Sequence, residues 1–202
     1  YQLGTRLAFE IKSIAKSAPF EILMVLSAVV LFLSLGNREV MYGVNALPLT
    51  YLLVDSLTFL TLPMLIVSAF YSAEIFWRER QAGFSEVIDA TPTPDWVFVL
   101  AKVGALAFIL LSITSLGLVM ALGFQIAAHH YDFQLGLYLH QGLIIHLLPV
   151  VFIAVLACLF QVITNHRYGG MLLFGLFMLA VITSRDLLSW EHPLLSYGLP
   201  VI

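Results

Sequence analysis

Along this chain of 202 residues the apolar positions gather into long runs separated by short polar breaks, not at core periodicity. About 20 apolar residues cross roughly 30 Å of hydrocarbon, so there is room for about five or six spans. The runs predict spans at 18–35, 49–71, 96–125, 142–164 and 169–184. Pro63 interrupts the second and Pro149 lies in the fourth; prolines are tolerated where neighbouring helices satisfy the freed carbonyl. Thr93-Pro94-Asp95 reads as the start of the third: a hydroxyl cap, proline at the first helical position, and an acid in the first turn. Residues 3–17 precede the first span. At 100° per residue Leu3, Leu7, Ile11, Ile14 and Ala15 share one face, and Arg6, Lys12, Ser13, Lys16 and Ser17 the other, with Phe9 the exception. This predicts an amphipathic interfacial helix with its cations toward the headgroups. Residues 185–202 mix apolar and polar types and predict interfacial or re-entrant structure. The fold expected over 1–202 is a single all-α, polytopic transmembrane bundle, a piece of a longer protein cut before a sixth span.

Composition excludes a soluble domain. Hydrophobic residues make up 61% and charged residues 10% of the chain, with a mean hydropathy of +0.99, too little polar surface to cover a water-soluble core. The net charge of −3 says little, because the charges sit in a few breaks. The nine Lys and Arg form no basic stripe, so no nucleic-acid partner is expected. Their distribution orients the chain. With the N-terminus inside, Arg6, Lys12, Lys16, Arg78, Arg80, Lys102 and Arg167 are cytoplasmic, and only Arg38 and Arg185 are outside. The lone cysteine, Cys158, lies in an apolar run and reads as a small buried hydrophobe.

The densest charge lies between the second and third spans, at 72–94. Phe84, Val87 and Ile88 fall at i, i+3 and i+4 and give a short helix there a narrow apolar face, with Glu86 and Asp89 off it. Such a helix can plug into a groove of a soluble partner or rest on lipid. Arg78 and Arg80 also suit positive-inside anchoring, with Trp77 an interfacial aromatic.

Arg78-Glu79-Arg80, then Gly83, Ala90-Thr91-Pro92 and Lys102 resemble the hallmark loop of the type-2 ABC transporter permease family. The resemblance covers the order of elements over most of the chain, and specific residues only across this loop. It implies that 3–17 is the connecting helix and 72–94 the coupling loop, with Arg78, Glu79, Arg80, Gly83, Phe84, Val87, Ile88, Thr91 and Pro92 docking on an ABC ATPase subunit that holds ATP and magnesium. It also implies a second permease unit, giving a dimer or pseudo-dimer, and exporter-type transport. Trp77 through Arg80, Asp89-Ala90-Thr91-Pro92, Pro94-Asp95-Trp96 and the ending His192-Pro193-Leu194-Leu195 with Tyr197-Gly198 are similar to a bacterial branch fused to a zinc aminopeptidase domain, which implies an inner-membrane location.

The chain has no G-x-x-x-x-G-K-[ST] loop and no H-E-x-x-H motif, so neither ATP binding nor catalysis is expected of these residues. Two rival readings are a membrane anchor for a zinc aminopeptidase and a scaffold that transports nothing. Asp55, about two turns below the outer end of its span, is either a pathway residue or a structural group that snorkels or pairs with Arg185. His129, His130, Asp132, His140 and His146 match no strong ligand spacing, and no metal site is expected. Glycines 104, 117 and 123 let helices approach closely.

Overall fold

A computed structural model describes residues 2–36, 40–41, 44–45, 49–81, 83, 94–164 and 166–188, with backbone alone at 40–41, 44–45, 95 and 184–188. The chain runs through α1 (Gln2–Ala15), α2 (Ala18–Gly36), α3 (Thr50–Asp55), a 3₁₀ segment (Ser56–Leu60), α4 (Thr61–Gln81), α5 (Asp95–Ala127), α6 (Leu135–Leu139), a π segment (His140–Leu147), α7 (Leu148–Thr164) and α8 (Arg167–Leu188). A two-residue antiparallel ladder, Val40–Met41 on Val44–Asn45, turns the chain between α2 and α3. Among the described residues the fold is otherwise all-helical.

Four stretches among the described residues are long and apolar enough to cross a membrane: Ala18–Gly36, Thr50–Gln81, Trp96–Ala127 and Leu135–Thr164. The fifth expected span is a helix whose apolar part, Arg167–Thr183, is shorter. This is a membrane protein. Its polar residues form two layers. On α5 no charge falls between Lys102 and Gln125, and these lie about 35 Å apart along the helix, slightly more than the hydrocarbon thickness. Between them Ser112 and Thr114 donate to the Phe108 and Leu110 carbonyls at 2.8 and 2.9 Å, and Ser115 is exposed. Beyond Gln125, Tyr138 Oη donates to Gln125 Oε1 at 2.8 Å, and Gln125 Nε2 donates to the Asp132 carbonyl at 2.9 Å. Thr50 Oγ1 donates to that carbonyl at 3.3 Å, closing the far end of the bundle.

Three boundaries differ most from the sequence expectation, and one is the fourth span, which begins at Leu135 and not at Gly142, so that His140 lies within it. The second span does not stop at Tyr71: helix continues through the charges to Gln81. Ala, Glu, Arg and Gln all favour helix, and no breaker intervenes until Gly83, whose φ of +73° suits a residue without Cβ. The α5 helix starts at Asp95 with Pro94 in the cap position, one residue later than expected, and Thr93 lies outside the described residues.

The prolines shape the two composite spans. A proline ring collides with the carbonyl four residues earlier, here Phe59 for Pro63 and Ile145 for Pro149. Those carbonyls fall in the 3₁₀ and π segments respectively, so both irregular stretches sit one turn before a proline. The two segments touch each other and α5. A Cβ on Gly117 would lie 2.7 Å from Leu57 of the 3₁₀ segment, and one on Gly142 of the π segment would lie 2.8 Å from Leu118 of α5. The core around Tyr71, Leu106, Ile109, Leu110 and Ile113 continues from there toward α1.

Candidate functional site

The last two turns of α4 are gripped on every side. Arg167 at the start of α8 donates from Nη2 to Glu74 Oε2 at 2.6 Å and from Nη1 to Gln81 Oε1 at 2.9 Å. Trp77 Nε1 donates to Gln161 Oε1 of α7 at 3.0 Å. Arg78 donates to Glu10 Oε2 at 2.5 Å and to Ser13 Oγ at 2.8 Å, both on α1. Glu79 pairs with Arg6 of α1 and, through its other oxygen, with Lys102 Nζ of α5 at 2.9 Å. The Arg80 guanidinium lies 5.0 Å from the Trp77 ring centre. Thus α1, α5, α7 and α8 all converge on residues 74–81, just ahead of Gly83.

The partner set on α1 follows from helical spacing. Arg6, Glu10, Ser13 and Ser17 recur at i, i+4, i+7 and i+11 and form one stripe. All four turn toward the bundle: Ser17 Oγ lies 3.3 Å from Tyr71 Oη, and Glu10 is wholly buried. Beside them the apolar stripe packs along α5, with Leu7 filling the space over Gly104. The expected grouping of Arg6, Ser13 and Ser17 with the outward cations therefore does not hold. The polar side of α1 is two faces, and of the five residues expected on it only Lys12 and Lys16 point away.

Electrostatics holds this set together. Three cations, Arg6, Arg78 and Lys102, meet two carboxylates, Glu10 and Glu79. Arg6 also stacks over Phe98 at 5.0 Å, and Lys102 lies 5.2 Å from the Phe76 ring. A carboxylate as buried as Glu10 survives only because both guanidiniums reach it; losing one partner of a buried pair costs about 3–5 kcal/mol. Ion pairs of this kind do not make or break bonds. Together with the Arg167–Glu74 pair and the Trp77–Gln161 hydrogen bond they tie four helices to one short segment, so that a displacement of that segment is felt by all of them.

The other expected site residues are dispersed. Gly83 is exposed beyond the end of α4, while Phe84, Val87, Ile88, Thr91 and Pro92 lie outside the described residues. Asp55 is exposed at the last residue of α3. The side chain of Arg185, its expected partner, lies outside the described residues. His129 stands 3.3 Å from Tyr131 Oη. Among the described residues no three His, Cys, Asp or Glu side chains converge as metal ligands would. Sequence reasoning missed Glu10, although a single acid four residues after Arg6 in an otherwise basic helix was the available signal. It also missed Gln161, hidden in an apolar run. No family model matches the chain, and neither does any curated protein or solved structure.

Proposed function

We propose that this chain is the membrane-spanning permease part of an ATP-driven, exporter-type ABC transporter, with its N-terminus and the 74–81 cluster on the cytoplasmic side. One observation carries the reading: the segment that leads into the loop resembling a coupling loop is tied by ion pairs and hydrogen bonds to α1, α5, α7 and α8. A loop that only rested on lipid needs no such anchorage. A loop pushed by a partner does, because force applied past Gly83 reaches the bundle only through what holds α4. In this reading ATP and magnesium belong to a separate ATPase subunit, a second permease unit completes the pathway, and α8 crosses the membrane as a fifth span. The location is the bacterial inner membrane. Asp55, at the far end, is then placed to meet whatever passes.

The test is reconstitution with an ATPase that copurifies in mild detergent. Gly83→Trp and Ile88→Asp should each abolish stimulated ATP hydrolysis while the permease still inserts and folds. Unchanged stimulation in both variants rejects the coupling role, and failure of any ATPase to copurify rejects the transporter reading.

A further inference from the structure

Dividing the polar side of α1 into two faces leaves one face that, among the described residues, meets only its own helix, through Arg6 at 5.6 Å from the Phe9 ring centre. Phe9, Lys12 and Lys16 recur at i, i+3 and i+7, and at 100° per residue they fall within about 60° of arc. Phe9 is 58% exposed, both lysines are exposed, and neither lysine forms an ion pair among the described residues. No acid lies on this face; the one acid of α1, Glu10, is buried on the opposite side against Arg78. Chain connectivity fixes the depth. Lys16 stands two residues before α2, a span of which only 17% is buried within the bundle, and Ile22, Val25, Leu26 and Val29 on it are exposed. That apolar surface belongs in lipid, so the residue just before it belongs among headgroups. The next turn back places Lys12 in the same layer.

We propose that this face of α1 is a binding surface for anionic phospholipid headgroups, with Lys12 and Lys16 taking the phosphates and Phe9 seated against the acyl boundary. Charge selects the occupant: two ammonium groups on long flexible stems reach a phosphate from several directions, and a zwitterionic headgroup offers them no net charge. The inference rests on membrane insertion alone and does not depend on the transport reading. It adds a consequence, since the same helix carries Arg6 and Glu10 on its other side. Lipid bound at Lys12 and Lys16 therefore holds in place the helix that pairs with Arg78 and Glu79.

The experiment compares the purified chain with the Lys12→Gln/Lys16→Gln double variant in nanodiscs of phosphatidylcholine, with and without 30% phosphatidylglycerol, followed by native mass spectrometry of retained lipid. Wild type should retain phosphatidylglycerol preferentially, and each lysine removed should cut that preference by up to about fivefold. Both proteins should melt alike in pure phosphatidylcholine, because the two side chains form no ion pair among the described residues. An unaltered preference in the double variant, or none in wild type, overturns the proposal. So does loss of a copurifying soluble subunit with lipid preference intact, which would assign the face to a protein.

Discussion

The two oxygens of Glu79 are divided between elements: one pairs with Arg6 of α1, and the other accepts from Lys102 Nζ of α5 at 2.9 Å. Glu79 therefore joins the helix before the first span to the start of the third. Neutralising it strands two cations in a mostly buried place. Glu79→Gln should lower stability by about 2 kcal/mol, less than the 3–5 kcal/mol of a wholly buried pair because Arg6 and Glu79 keep some solvent contact. Chemical denaturation in mild detergent measures it. A loss below about 0.5 kcal/mol would mean that the pairs are too well solvated to hold α1.

Glu10 and Arg78 invite a double-mutant cycle. Arg78→Gln leaves the wholly buried Glu10 with Arg6 alone, and Glu10→Gln leaves the partly exposed Arg78 without its carboxylate, whereas the double change removes both charges. The coupling energy should be about 2 kcal/mol, within the range for residues in one network. Additive losses would show that Glu10 is stabilised chiefly by Arg6, at 3.3 Å.

The helices were largely legible in the sequence because hydrocarbon imposes length and apolarity on any span, and hydropathy reads both. The end of the second span was not, since hydropathy falls at Glu74 while helix propensity does not. The face assignment of α1 failed for a related reason. A helical wheel separates polar from apolar residues but cannot say which polar residues meet a partner, and Arg6 and Lys12 look alike until Glu79 is placed beside one of them. Glu10 was overlooked because buried charge is the exception in any chain. The 3₁₀ and π segments were hinted at by Pro63 and Pro149, although neither proline indicates which irregular helix will absorb the clash.

Contact of the 3₁₀ and π segments with α5 depends on the space over Gly117. Gly117→Val should cost about 1–3 kcal/mol, since Leu57 and Leu60 would stand 2.7 and 3.0 Å from the new Cβ. Leu57→Ala in the same chain should recover part of the loss. Measured stabilities that are simply additive would place the clash elsewhere.

His129 offers a change in the opposite direction. Its φ of +56° is left-handed, and the backbone around it closes α5: His130 N–H donates to the Gln125 carbonyl at 3.1 Å, and His129 N–H to that of Ile126 at 3.0 Å. These are the two bonds of a Schellman cap, whose left-handed position favours glycine. A residue with Cβ there costs roughly 1–2 kcal/mol, and the exposed imidazole returns only a 3.3 Å contact with Tyr131 Oη. His129→Gly should therefore raise stability by about 1 kcal/mol, and His129→Val should lower it, because a β-branched residue tolerates this conformation least. Thermal denaturation of both variants measures the difference. A glycine variant less stable than wild type would mean that the side chain, not the backbone, is what this position needs.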